Sequence, residues 1–283
     1  MQVDNFSYGL VTPILAYSLS ALGSLLGLVA TAKARRMSDR GRRARWLLLA
    51  AWAIGGTGIW VMHFMAMIGF SVAGVPVRYD IATTIASWIT AVVVVAIGLF
   101  IVGFGGTDHD GVAGRPNPLK IIGAGVLTGF GVAGMHYTGM AAMRTPMTIQ
   151  YDAKTVALSV GIAVVAATVA LWFTVTLRRG VALVIAALIM GIAVGGMHYT
   201  GMYAMRIPDA LGSRPVEGLL PIYFLGPIVV FVVAVIVVLL ASLLNRSGEH
   251  DDGGDPTIRI VEPPAEPPAL PRRTVASAFV RRG

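Results

Sequence analysis

The chain contains no cysteine, which excludes disulfides, thiolate zinc sites and thiol redox chemistry. Charge is also scarce. Asp, Glu, Lys and Arg make up 13% of residues, about half the share of a soluble domain. Hydrophobic residues reach 56% and mean hydropathy is +0.76. Seven windows lack all four charged types: Tyr8–Ala32, Trp46–Phe70, Ile81–Phe104, Ile121–Met143, Thr155–Leu177, Val181–Met205 and Leu219–Leu244. Each exceeds the roughly 20 residues needed to cross a bilayer as helix. Strand-like alternation is missing too, which disfavours a lipid-facing barrel. The expectation is an all-α polytopic membrane protein, with seven transmembrane helices in residues 1–244 and the lipid bilayer as its first partner. The last window has no lysine, so a retinal Schiff base is excluded. No midplane acid or interrupted helix marks a transporter site.

The net charge of +8 is distributed by topology and does not form a nucleic-acid patch. The densest basic run, residues 33–45, lies between the first two windows. Counted over alternate connections, 17 Lys and Arg fall on one side and 5 on the other. Basic loops stay cytoplasmic, which puts the amino terminus outside and the carboxyl terminus inside. The first residues carry an Asp and no basic residue, unlike a cleaved signal. Residues 245–283 are rich in Pro and charge without hydrophobic periodicity. A disordered cytoplasmic tail is expected there, too short and polar for a kinase or cyclase domain. No enzymatic activity is expected, and His250 beside Asp251 and Asp252 reads as solvated linker.

What interrupts the apolar windows is histidine, three times and in nearly the same words. The strings are Met62-His63-Phe64-Met65-Ala66-Met67, Met135-His136-Tyr137-Thr138-Gly139-Met140 and Met197-His198-Tyr199-Thr200-Gly201-Met202. Buried in lipid, an imidazole is costly and marks function by default. Each His stands seven residues before the end of its window or the equivalent position, at Phe70, Met143 and Met205. That sets all three rings at one level, ~10 Å below the outer helix ends. Met67, Met140 and Met202 follow at i+4 on the same helical face, and Met143 and Met205 at i+7. Gly56, Gly129 and Gly191 precede each His by seven residues, which implies close helix packing. A second repeat, Tyr79-Asp80 before Ser87 and Tyr151-Asp152 before Ser159, points to internal duplication. Asp80 and Asp152 stand at N-cap positions; an outer-shell role beside a ligand His, shared with Tyr137 and Tyr199, is the alternative.

Imidazole with thioether and no thiolate is a donor set for copper more than for Mg, Ca, Mn or Zn. His63 with Met67, His136 with Met140 and His198 with Met202 each present both donors on one helical face, more than one ion requires, so a subset of them would hold it; Met143 and Met205, a turn further on, are lower-rank candidates. Two histidines facing each other across a haem are the rival arrangement. A methionine that only fills a packing gap, or a histidine that only bonds a neighbouring helix, is the bland alternative.

The two full copies, Met135-His136-Tyr137-Thr138 and Met197-His198-Tyr199-Thr200, resemble the motif of the MHYT domain, a bacterial integral-membrane module. The resemblance covers about residues 8–244. It implies a sensor in the cytoplasmic (inner) membrane that binds copper and through it O2, CO or NO, with His63, Met67, His136, Met140, His198 and Met202 as ligands by position and the flanking Met62, Met135 and Met197 as candidates of lower rank. In that family the domain is usually joined to a cytoplasmic kinase, diguanylate cyclase or phosphodiesterase. A separate cytoplasmic signalling protein would take that place here, or the protein would handle copper without signalling.

Overall fold

The computed structural model describes residues 3–72, 75–104, 117–146, 148–178, 180–207 and 216–244. Residues Met1–Leu243 form one unit; the expected tail, with His250, lies outside the described residues. Seven helices are long and apolar enough to cross a membrane. They are α1 (Val11–Ala34), α2 (Arg40–Ile68), α3 (Ile81–Gly103), α4 (Pro118–Ala141), α5 (Ala153–Thr176), α6 (Val181–Tyr203) and α7 (Leu225–Leu244). A 3-10 turn, Pro221–Phe224, leads into α7. The protein is a multi-pass, all-α membrane protein.

The helix ends differ from the charge-free windows because caps, not hydropathy, set them. Asp39 accepts from the Arg42 amide at 2.6 Å, so α2 begins inside the basic run. Asn117 caps α4 at 2.9 Å with Pro118 at its first position, where a missing amide is harmless. Asp80 and Asp152 cap α3 and α5 through the Thr83 and Thr155 amides, both at 2.9 Å. The Thr83 hydroxyl and amide hold the Asp80 carboxyl below its ordinary range, with Arg144 adding to the effect. Thr155 and then Arg206 do the same for Asp152.

Three short antiparallel ribbons reveal the repeating unit. β1 (Val3–Asp4) pairs with β2 (Ser71–Val72), β3 (Arg78–Tyr79) with β4 (Met143–Arg144), and β5 (Gln150–Tyr151) with β6 (Met205–Arg206). Each ribbon closes a helical hairpin: α1 with α2, α3 with α4, α5 with α6. One further bond recurs beside each ribbon. The amides of Ser7, Asp80 and Asp152 donate to the carbonyls of Gly69, Ala142 and Ala204 at 2.9, 2.9 and 2.8 Å. Each acceptor stands six residues after a motif histidine, so all three motif helices are tied down at one register. At the opposite end, Arg35 donates to the Thr174 and Leu177 carbonyls, joining α1 to the end of α5.

One motif helix departs from α geometry. Trp52–Val61 of α2 winds as a π-helix immediately before Met62 and His63. Gly55, Gly56 and Gly58 reduce crowding in the widened turns, and the Ser20 hydroxyl of α1 donates to the Gly58 carbonyl at 2.7 Å. A Cβ on Gly23 would lie 2.4 Å from the Gly58 amide nitrogen, so the two backbones touch there. Short π segments often accompany functional sites, and this one sets the phase of the most divergent motif.

Candidate metal centre

His63, His136 and His198 converge in the bundle interior. Each is five residues from the end of its helix, at Ile68, Ala141 and Tyr203, about 8 Å below the ribbon end. All three side chains are buried, at 1% exposure. The Nδ1 atom of His63 lies 3.0 Å from Nδ1 of His198 and 3.2 Å from Nδ1 of His136. Ring centroids are 4.9 to 5.2 Å apart and the planes nearly perpendicular, at 82° to 90°. One ligand nitrogen from each ring lies within 4.8 Å of the others.

Ordinary hydrogen bonding cannot satisfy this cluster as it satisfies a lone core histidine. An imidazole nitrogen has one in-plane site, holding either a proton or a lone pair. His63 Nδ1 must serve two neighbours with that one site, so at best it takes part in one shared bond, as donor or acceptor according to its tautomer. Further polar capacity is stranded outside the cluster: Nε2 of His63 and of His136 is buried without a partner among the described residues.

Two glycines seat the rings. A Cβ on Gly139 would lie 2.5 Å from His63 Nε2, and one on Gly201 would lie 2.3 Å from His136 Nε2. The rings of the first and second motifs thus each fit a notch in the next motif helix, three residues after that helix's own histidine. Ala66 occupies the equivalent place in the first copy. Sequence reasoning missed these two positions, although Gly139 and Gly201 stand in the repeated words.

Gly56, Gly129 and Gly191 permit close packing, as expected, against Phe231 of α7, Val164 of α5 and Tyr17 of α1. Met143 and Met205 are corrected: α4 and α6 end before them, so they lie on β4 and β6 and not on the histidine face. Met67, Met140 and Met202 remain helical and buried, at 1%, 1% and 4% exposure. Met62, Met135 and Met197 are buried as well. Met197 lines a small apolar cavity of about 50 Å³ with Leu99, Thr128 and Met190.

Asp80 and Asp152 act as caps. Tyr137 donates to or accepts from the Ser159 hydroxyl at 2.6 Å. The first copy has Phe64 in that place, and the equivalent Ser87 instead takes the Trp60 indole N–H at 3.1 Å, from one turn earlier. In the third copy the Tyr199 hydroxyl is buried without a partner among the described residues.

A threefold cluster of one short motif, carried on three tied hairpins, is a family architecture. The sequence profile of the MHYT repeat, described as a bacterial signalling protein N-terminal repeat, matches residues 56–114, 129–187 and 191–250. The chain belongs to the MHYT family. It is 40% identical over 212 residues to the bifunctional diguanylate cyclase/cyclic di-GMP phosphodiesterase MucR of Pseudomonas aeruginosa, covering 73% of this chain and 28% of that protein. It is 34% identical to the cyclic di-GMP phosphodiesterase NbdA of the same organism, over 71% of this chain and 25% of that one. The signaling protein YkoW of Bacillus subtilis is 29% identical over 54% of this chain and 19% of its own length. The chain thus spans about a quarter of these relatives. No solved structure matches it.

Proposed function

We propose that this MHYT membrane domain is a sensor that holds a single Cu(I) ion at His63, His136 and His198. The observation that carries the proposal is the convergence of three buried imidazoles, whose Nδ1 atoms crowd around His63 Nδ1. Three nitrogens bound at ~2.0 Å around one ion stand about 3.5 Å apart, close to the 3.0 and 3.2 Å separations of the Nδ1 atoms. The donors are all neutral, and a buried charge without a counterion is costly. A monovalent ion therefore suits the cluster better than a divalent one. Separations this short leave no room for a macrocycle between rings, which favours one ion over haem. Met67, Met140 and Met202, one turn beyond each histidine, supply thioethers that suit the same soft ion.

Bound there, the ion would supply an open coordination position or a redox change. The protein's own part is to fix the His63 and His136 rings by glycine notches and all three motif helices by ribbon ties, and to keep bulk water away. An O2, CO or NO ligand would act through that position. The basic asymmetry supports a cytoplasmic-membrane orientation with the ribbon end outside and the carboxyl end inside. The relatives' names support a signalling output through cyclic di-GMP enzymes, whether linked or separate. Metal analysis with an absorption spectrum of detergent-purified protein tests the proposal: one copper per chain without a Soret band is expected. A Soret band, or no metal after Cu(I) loading, would overturn it.

A further inference from the structure

A cavity of about 1030 Å³ opens at the ribbon end beside the second hairpin. Its walls include Asp80, Arg144 and Glu217 toward solvent, and Met143 and Met140 toward the bundle. Two carboxylates against one guanidinium leave a net negative charge on the lining. Arg144 sits 3.6 Å from Asp80, so Glu217, which is exposed, is the more available carboxylate. Met143 and Met140 are buried at 6% and 1%. Met140 is common to both places: it lines the cavity, it stands one turn beyond His136, and it is adjacent to Gly139, on which the His63 ring rests.

We propose that this vestibule is the inlet through which a soft monovalent cation reaches the histidine cluster, with Met143 and then Met140 as relay thioethers. The inference rests on the Cu(I) reading above. Carboxylates at a mouth raise local cation concentration and association rate. Thioethers then take up a soft ion as it sheds water, without holding it as tightly as three imidazoles would. Met143 thereby has a role although it lies off the histidine face: it governs rate, not affinity.

Stopped-flow uptake by the full chain in lipid nanodiscs tests this, using Cu(I) and the redox-inert surrogate Ag(I). Met143→Leu is expected to slow uptake severalfold while final occupancy and affinity stay unchanged. Glu217→Gln, an exposed substitution that does not burden folding, is expected to slow association and weaken its dependence on salt. Met190→Leu, a buried methionine outside the vestibule, is expected to change neither. Unchanged uptake in both Met143→Leu and Glu217→Gln, with normal final occupancy, overturns the inlet and leaves the metal site standing. Lower affinity at an unchanged rate in Met143→Leu also overturns it, by making Met143 a ligand. No ion bound by the unsubstituted protein overturns the metal site and the inlet together.

Discussion

Gly201→Ala places a methyl group in the notch that receives the His136 ring. The added Cβ would stand 2.3 Å from Nε2, 2.9 Å from Cδ2 and 3.2 Å from Cε1, where ordinary contact begins near 3.4 Å. Something must move by about 1 Å, and interiors resist such displacement because they are close-packed. The helix backbone is fixed at this level by the ribbon and by the Asp152 amide bonded to the Ala204 carbonyl. The ring is the softer partner, so the ring moves. A shift of that size far exceeds the roughly ±0.2 Å within which a metal–ligand distance must fall.

Overpacking of this kind costs about 1–3 kcal/mol. Where the strain is relieved by displacing the ring from the ion, it returns as weaker binding of about 5- to 150-fold. Competition titration against a chromogenic Cu(I) chelator reads the affinity, and a thermal melt in detergent reads the fold. Gly134→Ala is the matched control: its Cβ meets nothing within 4 Å. Affinity should hold there, and the helix should gain about 0.5–1 kcal/mol from losing a glycine. Full Cu(I) affinity in Gly201→Ala would refute the notch as the device that positions the ring.

His63 is the hub, since its Nδ1 makes both short contacts, so His63→Ala should abolish copper retention; retention of a full equivalent would show that the first motif stands outside the site. The double variant Met140→Leu, Met202→Leu nearly conserves volume, so it should fold with under about 1.5 kcal/mol lost while Cu(I) affinity drops; equal affinity would remove the thioethers from the ligand set. The Asp80 and Asp152 carboxyls have depressed folded values, so their stabilisation is present above the unfolded value of ~3.9 and fades as pH falls through the lower folded value. Melting temperature should therefore be insensitive to both groups from pH 7 to 5 and fall only in stronger acid, and Asp80→Asn, which still caps, should remove its share of that acid dependence. A reporter fused after Gly283 should be active only in the cytoplasm; activity outside would move the histidine cluster to the wrong face.

The seven spans were legible because bilayer crossing demands long charge-free runs, and no other architecture tolerates so many. The triad was legible because the same expensive residue recurs at one register in three alternate helices. Helix ends were not, because hydropathy continues past them. Met143 and Met205 are as apolar as the helix before them, and what takes the chain out of helical phase is the ribbon pairing of Arg78 with Arg144 and Gln150 with Arg206, with the Asp80 and Asp152 amides on the Ala142 and Ala204 carbonyls beside it. Gly139 and Gly201 were visible but ambiguous. Three residues past a histidine, such a position points about 60° off its face, toward a neighbouring helix, and the sequence does not say that the neighbour presents another histidine there.

The divergent first copy shows why motif spelling and site geometry can separate. Phe64 has no hydroxyl to match Tyr137, yet Ser87 is still bonded, because the Trp60 indole reaches it from the preceding turn. Ala66 fills the place of the notch glycine, which in the other copies receives the ring of the preceding motif, yet His198 still meets His63 at 3.0 Å. The π stretch before His63 has more residues per turn and so rotates it relative to a regular helix carrying the same residues. Hydrophobic periodicity is blind to that change, since every residue of Trp52–Val61 is apolar, glycine or threonine, and all but Trp52 are buried. The Ser20 hydroxyl on the Gly58 carbonyl links this geometry to another helix, so the phase of His63 is a property of the packed α1–α2 hairpin and not of the motif alone. Ser20→Ala should therefore disturb His63 more than His136 or His198, although Ser20 lies in none of the three motifs. Imidazole NMR shifts that respond equally at all three rings would sink that inference.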